Sequence, residues 1–272
     1  MTQPKLSIIT INRNNVRGLS HTIASVVAQT SQQFEYLIID GNSTDGSKEE
    51  ILRNEKHLAF WCSEPDKGIY HAMNKGIQRA RGEYLLFLNS GDILLDKDTI
   101  AQVIPALDGT QLVYGNLVFK GKDTEITQPY PDVLGIDYLF YQSLGHPASF
   151  IQKELFKNTP YSEDLKIVSD WEFFLKKIII EKVSYRHIDQ TISVFDMNGI
   201  SSTNQELCKK ECEEVLHRIF PGSMYDYIKE YVEMRRNILF PLFKELQRTQ
   251  KLQHRVKPLL SLIIKVNRLF KK

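Results

Sequence analysis

Three apolar runs near the start of the chain each empty into polar loop chemistry. Leu6-Ser7-Ile8-Ile9-Thr10-Ile11 opens into Asn12-Arg13-Asn14-Asn15, and Tyr36-Leu37-Ile38-Ile39 ends in Asp40-Gly41-Asn42-Ser43. Tyr84-Leu85-Leu86-Phe87-Leu88 ends in Asn89-Ser90-Gly91-Asp92. Near-continuous apolar runs of this length read as strands buried on both faces. Between them the period changes. Leu19, Ile23, Val26 and Val27 recur at helical spacing, and Ile69, Ala72, Met73, Gly76, Ile77 and Ala80 fall on one helical face that Gly82 closes. Ser47-Lys48-Glu49-Glu50 reads as a capping box for a short helix carrying Ile51 and Leu52. The stretch from His57 to Cys62 reads as a further strand. Strands alternating with helices predict a mostly parallel sheet with helices on both faces. Ligands bind such sheets outside the strand carboxyl ends, so the polar exits predict one shared rim.

The grammar shifts from about residue 111. Leu112 to Phe119, Glu125 to Gln128 and Ala148 to Ile151 read as strands, Asp170 to Ile180 as an amphipathic helix, and Tyr185 to Phe195 as strand again. This is the second half of the same domain, with mixed strand directions, and the domain is placed at residues 1–202. Residues 203–272 form a helical, amphipathic extension that grows basic. Lys251, Arg255, Lys257, Lys265, Arg268, Lys271 and Lys272 have no acid among them and alternate with apolar positions such as Leu252, Leu259, Leu262 and Ile263. Pro258 is expected to interrupt any continuous helix there.

Composition narrows the function class. The 272 residues carry 35 Lys plus Arg against 33 acids, a net charge of +2 that gives no general call for nucleic acid. Three cysteines, few and odd in number, fit a reducing compartment better than a disulfide framework. No leader pattern and no bilayer-length apolar run is visible, so a cytoplasmic protein is expected. The Asn42-Ser43-Thr44 glycosylation match is then chance.

Several segments carry candidate chemistry, each with a plainer alternative. Gly41 to Lys48 superficially matches a P-loop, but Ser47 precedes Lys48, the reverse of the order phosphate and metal binding need. Asp40 is either held at a strand end for a ligand or a turn residue. Lys67 and the amides around Gly68 open a helix and suit a phosphate; Asp66 equally suits a helix cap. Asp92 suits a hard divalent cation, which takes oxygen ligands and keeps waters, or is a solvated turn acid. Asp170 has Phe173 and Phe174 on its own helical face, an environment that suits a general base, though an N-cap Asp looks the same. His146 lies in a suggestive Gly145-His146-Pro147-Ala148 segment. Cys208, Cys212 and His217 lack a fourth ligand pattern, so no zinc site is expected.

Together these segments resemble the family 2 glycosyltransferases of GT-A fold, in particular bacterial enzymes of surface-polysaccharide synthesis, over about residues 5–202. Thr10 with Asn12 resembles the family's first-strand Thr-x-Asn, and Asp40 to Ser47 its Asp-Gly-x-Ser-x-Asp-Gly-Thr loop. Ser63-Glu64-Pro65-Asp66-Lys67-Gly68-Ile69-Tyr70, continuing to Ala72-Met73-Asn74-Lys75-Gly76-Ile77, is a block specific to one subgroup, and Asn89-Ser90-Gly91-Asp92 stands where the family has Asp-x-Asp. The resemblance implies that Thr10, Asn12, Asp40 and Asp66 line a nucleotide pocket, with Asp40 accepting from a uracil-like imide. Lys67, Gly68, Asn74, Asn89 and Gly91 would join them around the nucleotide sugar. Asp92 would hold Mn²⁺ or Mg²⁺ on the diphosphate and Asp170 would be the base. His146, Trp171, Gly199 and Ser201 would lie toward the acceptor, the last two in a segment similar to a Gly-Gly-x-Ser loop. Asn89 for the first acid, Asn198 for a glycine and His71 for Asp depart from the pattern.

The implied activity is inverting sugar transfer, hexosyl or N-acetylhexosaminyl, from a nucleotide-diphosphate donor, a UDP-sugar first, to a glycan or lipid-linked acceptor. A nucleotide-sugar-binding scaffold without catalysis is the rival, made conceivable by Asn89. A dinucleotide oxidoreductase is disfavoured, because no Gly-x-Gly-x-x-Gly follows the first strand. The tail over 250–272 suits an anionic membrane surface or packing on protein, and a homo-oligomer is compatible with the sequence.

Overall fold

The computed structural model describes residues 3–197, 199 and 203–270. The first strands, β1 (Leu6–Asn12), β2 (Phe34–Asp40), β3 (Phe60–Ser63) and β4 (Tyr84–Phe87), form a parallel block in the order β3-β2-β1-β4. Leu6, Ile8 and Ile9 of β1 are 0% exposed. Full burial of such side chains contributes roughly 1.5–3 kcal/mol each. Their connections carry α1 (Val16–Val27), α2 (Ser47–Arg53) and α3 (Ile69–Arg79). The chain travels from β1 outward to β3 and then returns past β1 to β4. Right-handed crossovers therefore put α3 on the face opposite α1 and α2. The reversal between β1 and β4 opens a crevice at their carboxyl ends. Gly76 lets α3 lie close on the sheet, since a Cβ there would stand 2.5 Å from Ile9 Cγ2.

Beyond β4 the sheet continues through antiparallel β8 (Ser149–Gln152) to β6 (Leu112–Lys120), then β9 (Tyr185–Asp196) and β5 (Ile93–Leu94), with β7 (Glu125–Gln128) pairing off β6. The pairings orient six of the nine described strands alike, so the sheet is mostly parallel. The strands foreseen over 112–119, 125–128 and 185–195 all form. Shorter helices α4 (Thr99–Val103), α5 (Ile136–Leu139) and α6 (Ser169–Leu175) complete this half, α6 running into a π-helical turn at Lys176–Ile180.

In the strand-and-helix half that carries β1 to β4, local expectations differ from the structure at three places. The capping box does not form: Gly46 is the N-cap of α2 with φ +95°, and Ser47 lies inside the helix with its hydroxyl donating to Asp45. Residues Glu55–His57 form a 3₁₀ turn, and the third strand starts only at Phe60. Helix α3 stops at Arg79 before reaching Gly82, whose role is a close approach. A Cβ at Gly82 would meet Ser7 N at 2.5 Å.

The chain divides into two compact units, Met1–Ile219 and Phe220–Lys272. Helix α7 (Gln205–Ile219), assigned from sequence to the extension, falls within the first unit. Buried Glu211 on α7 accepts from the backbone N–H groups of Lys166 and Ile167 at 2.8 and 2.9 Å, tying α7 to the loop ahead of α6. The second unit holds α8 (Ser223–Arg236), α9 (Phe240–Gln247) and α10 (Gln250–Phe270). Contrary to expectation α10 runs through Pro258; a proline fixes φ near the helical value, at the cost of one backbone hydrogen bond and of crowding between its ring and the carbonyl four residues back. Ile238, Leu242, Phe243, Leu259, Leu262 and Ile263 of this unit are exposed. Among the described residues no helix is long and apolar enough to cross a membrane.

Candidate active site

The acid at the end of the third long apolar run is fixed from several sides. After β4 the chain still follows β1, with Leu88 N–H donating to Ile9 O at 2.9 Å and Ser90 N–H to Ile11 O at 3.1 Å. It then turns through Gly91, at φ +115°, where Asp92 N–H returns to Asn89 O. Thr22 on α1 accepts from Gly91 N–H and donates to Asp92 O, while Asn15 Nδ2 donates to Ser90 O. Asp92 itself is 2% exposed and accepts from the N–H groups of Asn89 and Asp196, both at 3.1 Å. Burial pushes its carboxyl up to about 6, against the pull of His146 and those two amides.

Asp170 reaches the same place from α6. Its Oδ1 accepts from Trp171 N–H at 3.0 Å and from Tyr70 O–H at 2.9 Å, and its Oδ2 meets His146 Nδ1 at 3.1 Å. Burial, with the Asp170 charge beside it, holds the Tyr70 phenol well above 10, so it stays a donor. His146 Nε2 faces Asn89 Nδ2 at 3.1 Å and Asp92 Oδ2 at 4.0 Å. Burial opposes the charged imidazole, but the hydrogen bond and charge of Asp170, with Asp92 behind it, raise its pKa overall. Asp92 is driven toward its neutral form and His146 toward its charged one. The 3.1 Å contact with Asp170, not the 4.0 Å one with Asp92, is therefore the pairing that holds a charge on the ring.

A cavity of about 650 Å³ joins these groups: Asp92, His146 and Asp170 line it together with Asn12, Asp66 and Gly68. Asp66 packs over Gly41, where a Cβ would be 2.3 Å from its Oδ2, and stands 3.9 Å from Arg13. Asn12 is 4% exposed; its Nδ2 donates to Asp40 at 2.8 Å, and its Oδ1 is buried without a protein partner. Asp40 sits behind it. Burial would raise that carboxyl, but donors from Ser43, Ser63 and Asn12 hold it below the usual carboxylate range.

Comparison with known proteins decides the family. The profile of Glycosyl transferase family 2 matches residues 7–164. An uncharacterized glycosyltransferase of Mycobacterium tuberculosis is 36% identical over 207 residues, covering 73% of this chain and 78% of its own. The chain belongs to glycosyl transferase family 2. A second relative of this glycosyltransferase, a PGL/p-HBAD biosynthesis glycosyltransferase of Mycobacterium bovis, is 27% identical over 75% of this chain and 81% of its own. S. aureus TarS, solved with UDP-GlcNAc, superposes with a TM-score of 0.65 at 18% identity over 79% of this chain and 65% of its own. The mannosyltransferase PcManGT of Pyrobaculum calidifontis, solved with GDP-Man and Mn²⁺, gives 0.64 at 15% identity over 100% and 81%. The fold is thus that of the GT-A glycosyltransferases, with a helical C-terminal extension.

Not every residue that sequence pointed to reaches the cavity of this glycosyltransferase. Asn12, Asp66, Gly68, Asn89, Asp92, His146, Asp170 and Gly199 line it, and Gly91 lies in the turn between Ser90 and Asp92. Ser201 lies outside the described residues. Thr10 is buried within the sheet, its hydroxyl paired with Tyr36 Oη at 3.0 Å. Asp40 offers no open acceptor, because Asn12 Nδ2, Ser43 N–H and the Ser43 and Ser63 hydroxyls occupy all four of its lone-pair positions. Lys67 is exposed outside the wall, and the amides offered to a phosphate are engaged: Lys67 N–H with His71 Nδ1 and Gly68 N–H with Asp66. Asn74 instead brackets Tyr161, donating to its carbonyl at 2.9 Å and accepting from its N–H at 3.0 Å. Trp171 is a packing residue whose indole donates to Leu139 O. His146 stands between the two acids, Asp92 and Asp170.

Tyr70 and Asp196 are wall residues to which the sequence assigns no role. Tyr70 ends the subgroup block that begins at Ser63. Asp196 ends β9 as Asp40 ends β2, an acid at the carboxyl end of a strand, but β9 is mixed in composition and mostly half-buried, so only its terminal stretch 192–195 offers the signal. Its carboxylate fills the space beside Gly91, where a Cβ would be 2.9 Å from Asp196 Oδ2.

Proposed function

We propose that this family 2 enzyme transfers a sugar from a nucleotide-diphosphate donor to a hydroxyl with inversion, Asp170 acting as base. What carries the reading is that Asp92 and Asp170, remote in sequence, line one cavity with His146 between them. Asp170 Oδ2 takes the proton of the acceptor hydroxyl as that oxygen attacks the anomeric carbon. The bond from that carbon to the diphosphate oxygen breaks on the opposite face, and its electron pair leaves with the diphosphate. Base catalysis of this kind gives about 10²–10⁴-fold. The Tyr70 phenol and Trp171 N–H hold Oδ1 so that Oδ2 serves the proton transfer.

The donor set suits a hard divalent cation of the Mn²⁺ or Mg²⁺ type. Among the described residues no three His, Cys, Asp or Glu side chains form a metal-holding group. That fits a site completed by donor phosphates and water around one or two carboxylates. Asp92 and Asp196 would be those carboxylates, with the buried Asn89 Oδ1, which has no protein partner, beside them. A cation held there would offset charge on the leaving diphosphate. Asn12 and Asp66, which line the cavity, would meet the nucleotide.

The acceptor is inferred to be a glycan or lipid-linked glycan of the cell surface. The basic, apolar second unit supports work at an anionic membrane, and one relative takes its name from PGL/p-HBAD biosynthesis. Incubation with Mn²⁺ and a panel of UDP-, GDP-, ADP- and dTDP-sugars tests the reading by released nucleoside diphosphate. Release from one donor class is expected. Tight binding of a donor with no release, even with membrane-lipid extract added, would favour the non-catalytic binding protein.

A further inference from the structure

We propose that His146 is the positioning residue that aims Asp170 at the acceptor hydroxyl. This rests on the reading of Asp170 as base and assigns how its carboxylate is held.

A carboxylate offers about four acceptor positions. Two on Asp170 Oδ1 are taken by Trp171 N–H and Tyr70 O–H, at 3.0 and 2.9 Å. His146 Nδ1, 3.1 Å from Oδ2, takes a third. One position on Oδ2 remains for an acceptor hydroxyl. The Oδ1 contacts and the ring together fix the carboxylate's rotation, and the ring alone holds the oxygen that takes the proton.

The ring is itself anchored. Its segment is a short 3₁₀ turn, His146–Ala148, with Pro147 O accepting from Ser193 Oγ at 2.6 Å and Gly145 N–H donating to Tyr130 Oη at 3.0 Å. Across the ring, Asn89 Nδ2 lies 3.1 Å from Nε2. The 3.1 Å contact with Asp170 Oδ2 makes Nδ1 the nitrogen that donates to that carboxylate.

The test compares His146→Asn, His146→Gln and His146→Leu, using nucleoside diphosphate release from whichever UDP-, GDP- or dTDP-sugar the wild type turns over fastest. An Asn amide N–H falls near the place of Nδ1, whereas a Gln amide reaches toward Nε2. We expect His146→Asn to keep kcat within about fivefold, and His146→Gln and His146→Leu to lose about 10²-fold, the scale of an ångström-level misplacement. Donor affinity by calorimetry should stay within about threefold in all three. Placed on Asp170→Asn, His146→Leu should cost nothing further, since the two act as one unit. A Gln variant equal to or better than Asn, a loss seen in donor affinity instead of kcat, or a fully additive double variant overturns the proposal. If His146→Leu fails to fold, the Asn and Gln pair decides alone. Failure of the base assignment shows separately, as turnover retained by Asp170→Asn with the histidine intact.

Discussion

Replacing Asp92 with Asn should make the metal-free protein more stable while removing its cation site. Burial lifts the Asp92 carboxyl from an ordinary 3.8 to about 6. At about 1.4 kcal/mol per pH unit, holding it ionised in the fold costs about 3 kcal/mol at pH 8. Because the folded value lies above the unfolded one, stability is fullest below pH 4 and is lost as pH rises through 6. Asn removes that cost but has one acceptor oxygen for the two amides, Asn89 and Asp196 N–H, that now share a carboxylate. Losing one such bond costs about 0.5–1.5 kcal/mol. The net gain at pH 8 is about 1.5–2.5 kcal/mol, or roughly 3–10 °C in melting temperature for a chain of this size. At pH 4.5 the electrostatic cost in the wild type is only about 1 kcal/mol, and the two proteins should melt together. Calorimetric melts of both at the two pH values, without metal, give the comparison. Mn²⁺ with donor should then raise the wild type but not the variant. A variant melting at or below the wild type at pH 8, with a gap indifferent to pH, would refute the buried-carboxylate reasoning.

Three further outcomes follow from the same geometry. Asp196→Ala should weaken Mn²⁺ binding in the presence of donor by about tenfold, read from the free-ion electron paramagnetic resonance signal; an unchanged titration would leave Asp92 as the sole carboxylate. Asn74→Ala removes two hydrogen bonds to Tyr161, so it should cost about 1–3 kcal/mol in denaturant unfolding with donor affinity unchanged; weakened donor binding in a fully stable variant would return Asn74 to the nucleotide pocket. Deleting residues 250–272 should abolish flotation with vesicles containing anionic lipid, and equal flotation would contradict membrane docking through that segment.

The parallel half of the sheet was legible because β1, β2 and β4 are buried on both faces, and such strands write themselves as unbroken apolar runs. The rim was legible for the same reason, since Asn12, Asp40 and Asp92 follow those runs directly. What sequence did not give was the direction of each side chain. Thr10 and Asn74 carry suitable chemistry, yet one faces Tyr36 and the other brackets Tyr161, partners 26 and 87 residues away. Asp40 matched a motif, but only the fold reveals that Ser43 and Ser63 close off its oxygens. His146 was visible only as a lone histidine, because its polar neighbours come from two remote segments, Asn89 and Asp92 from the turn after β4 and Asp170 from α6. The capping box failed through competition: Asp45 captured the Ser47 hydroxyl, and Gly46 at positive φ started the helix one residue earlier.

The division of labour between two acids is tested most directly by measuring donor binding and turnover together in wild type, Asp92→Asn and Asp170→Asn. With Mn²⁺ and the preferred sugar nucleotide, Asp170→Asn should bind within about threefold of wild type while turnover falls by about 10²-fold or more. Asp92→Asn should instead lose binding. Near-normal turnover in Asp170→Asn, or an equal loss of donor affinity in both variants, would contradict the account.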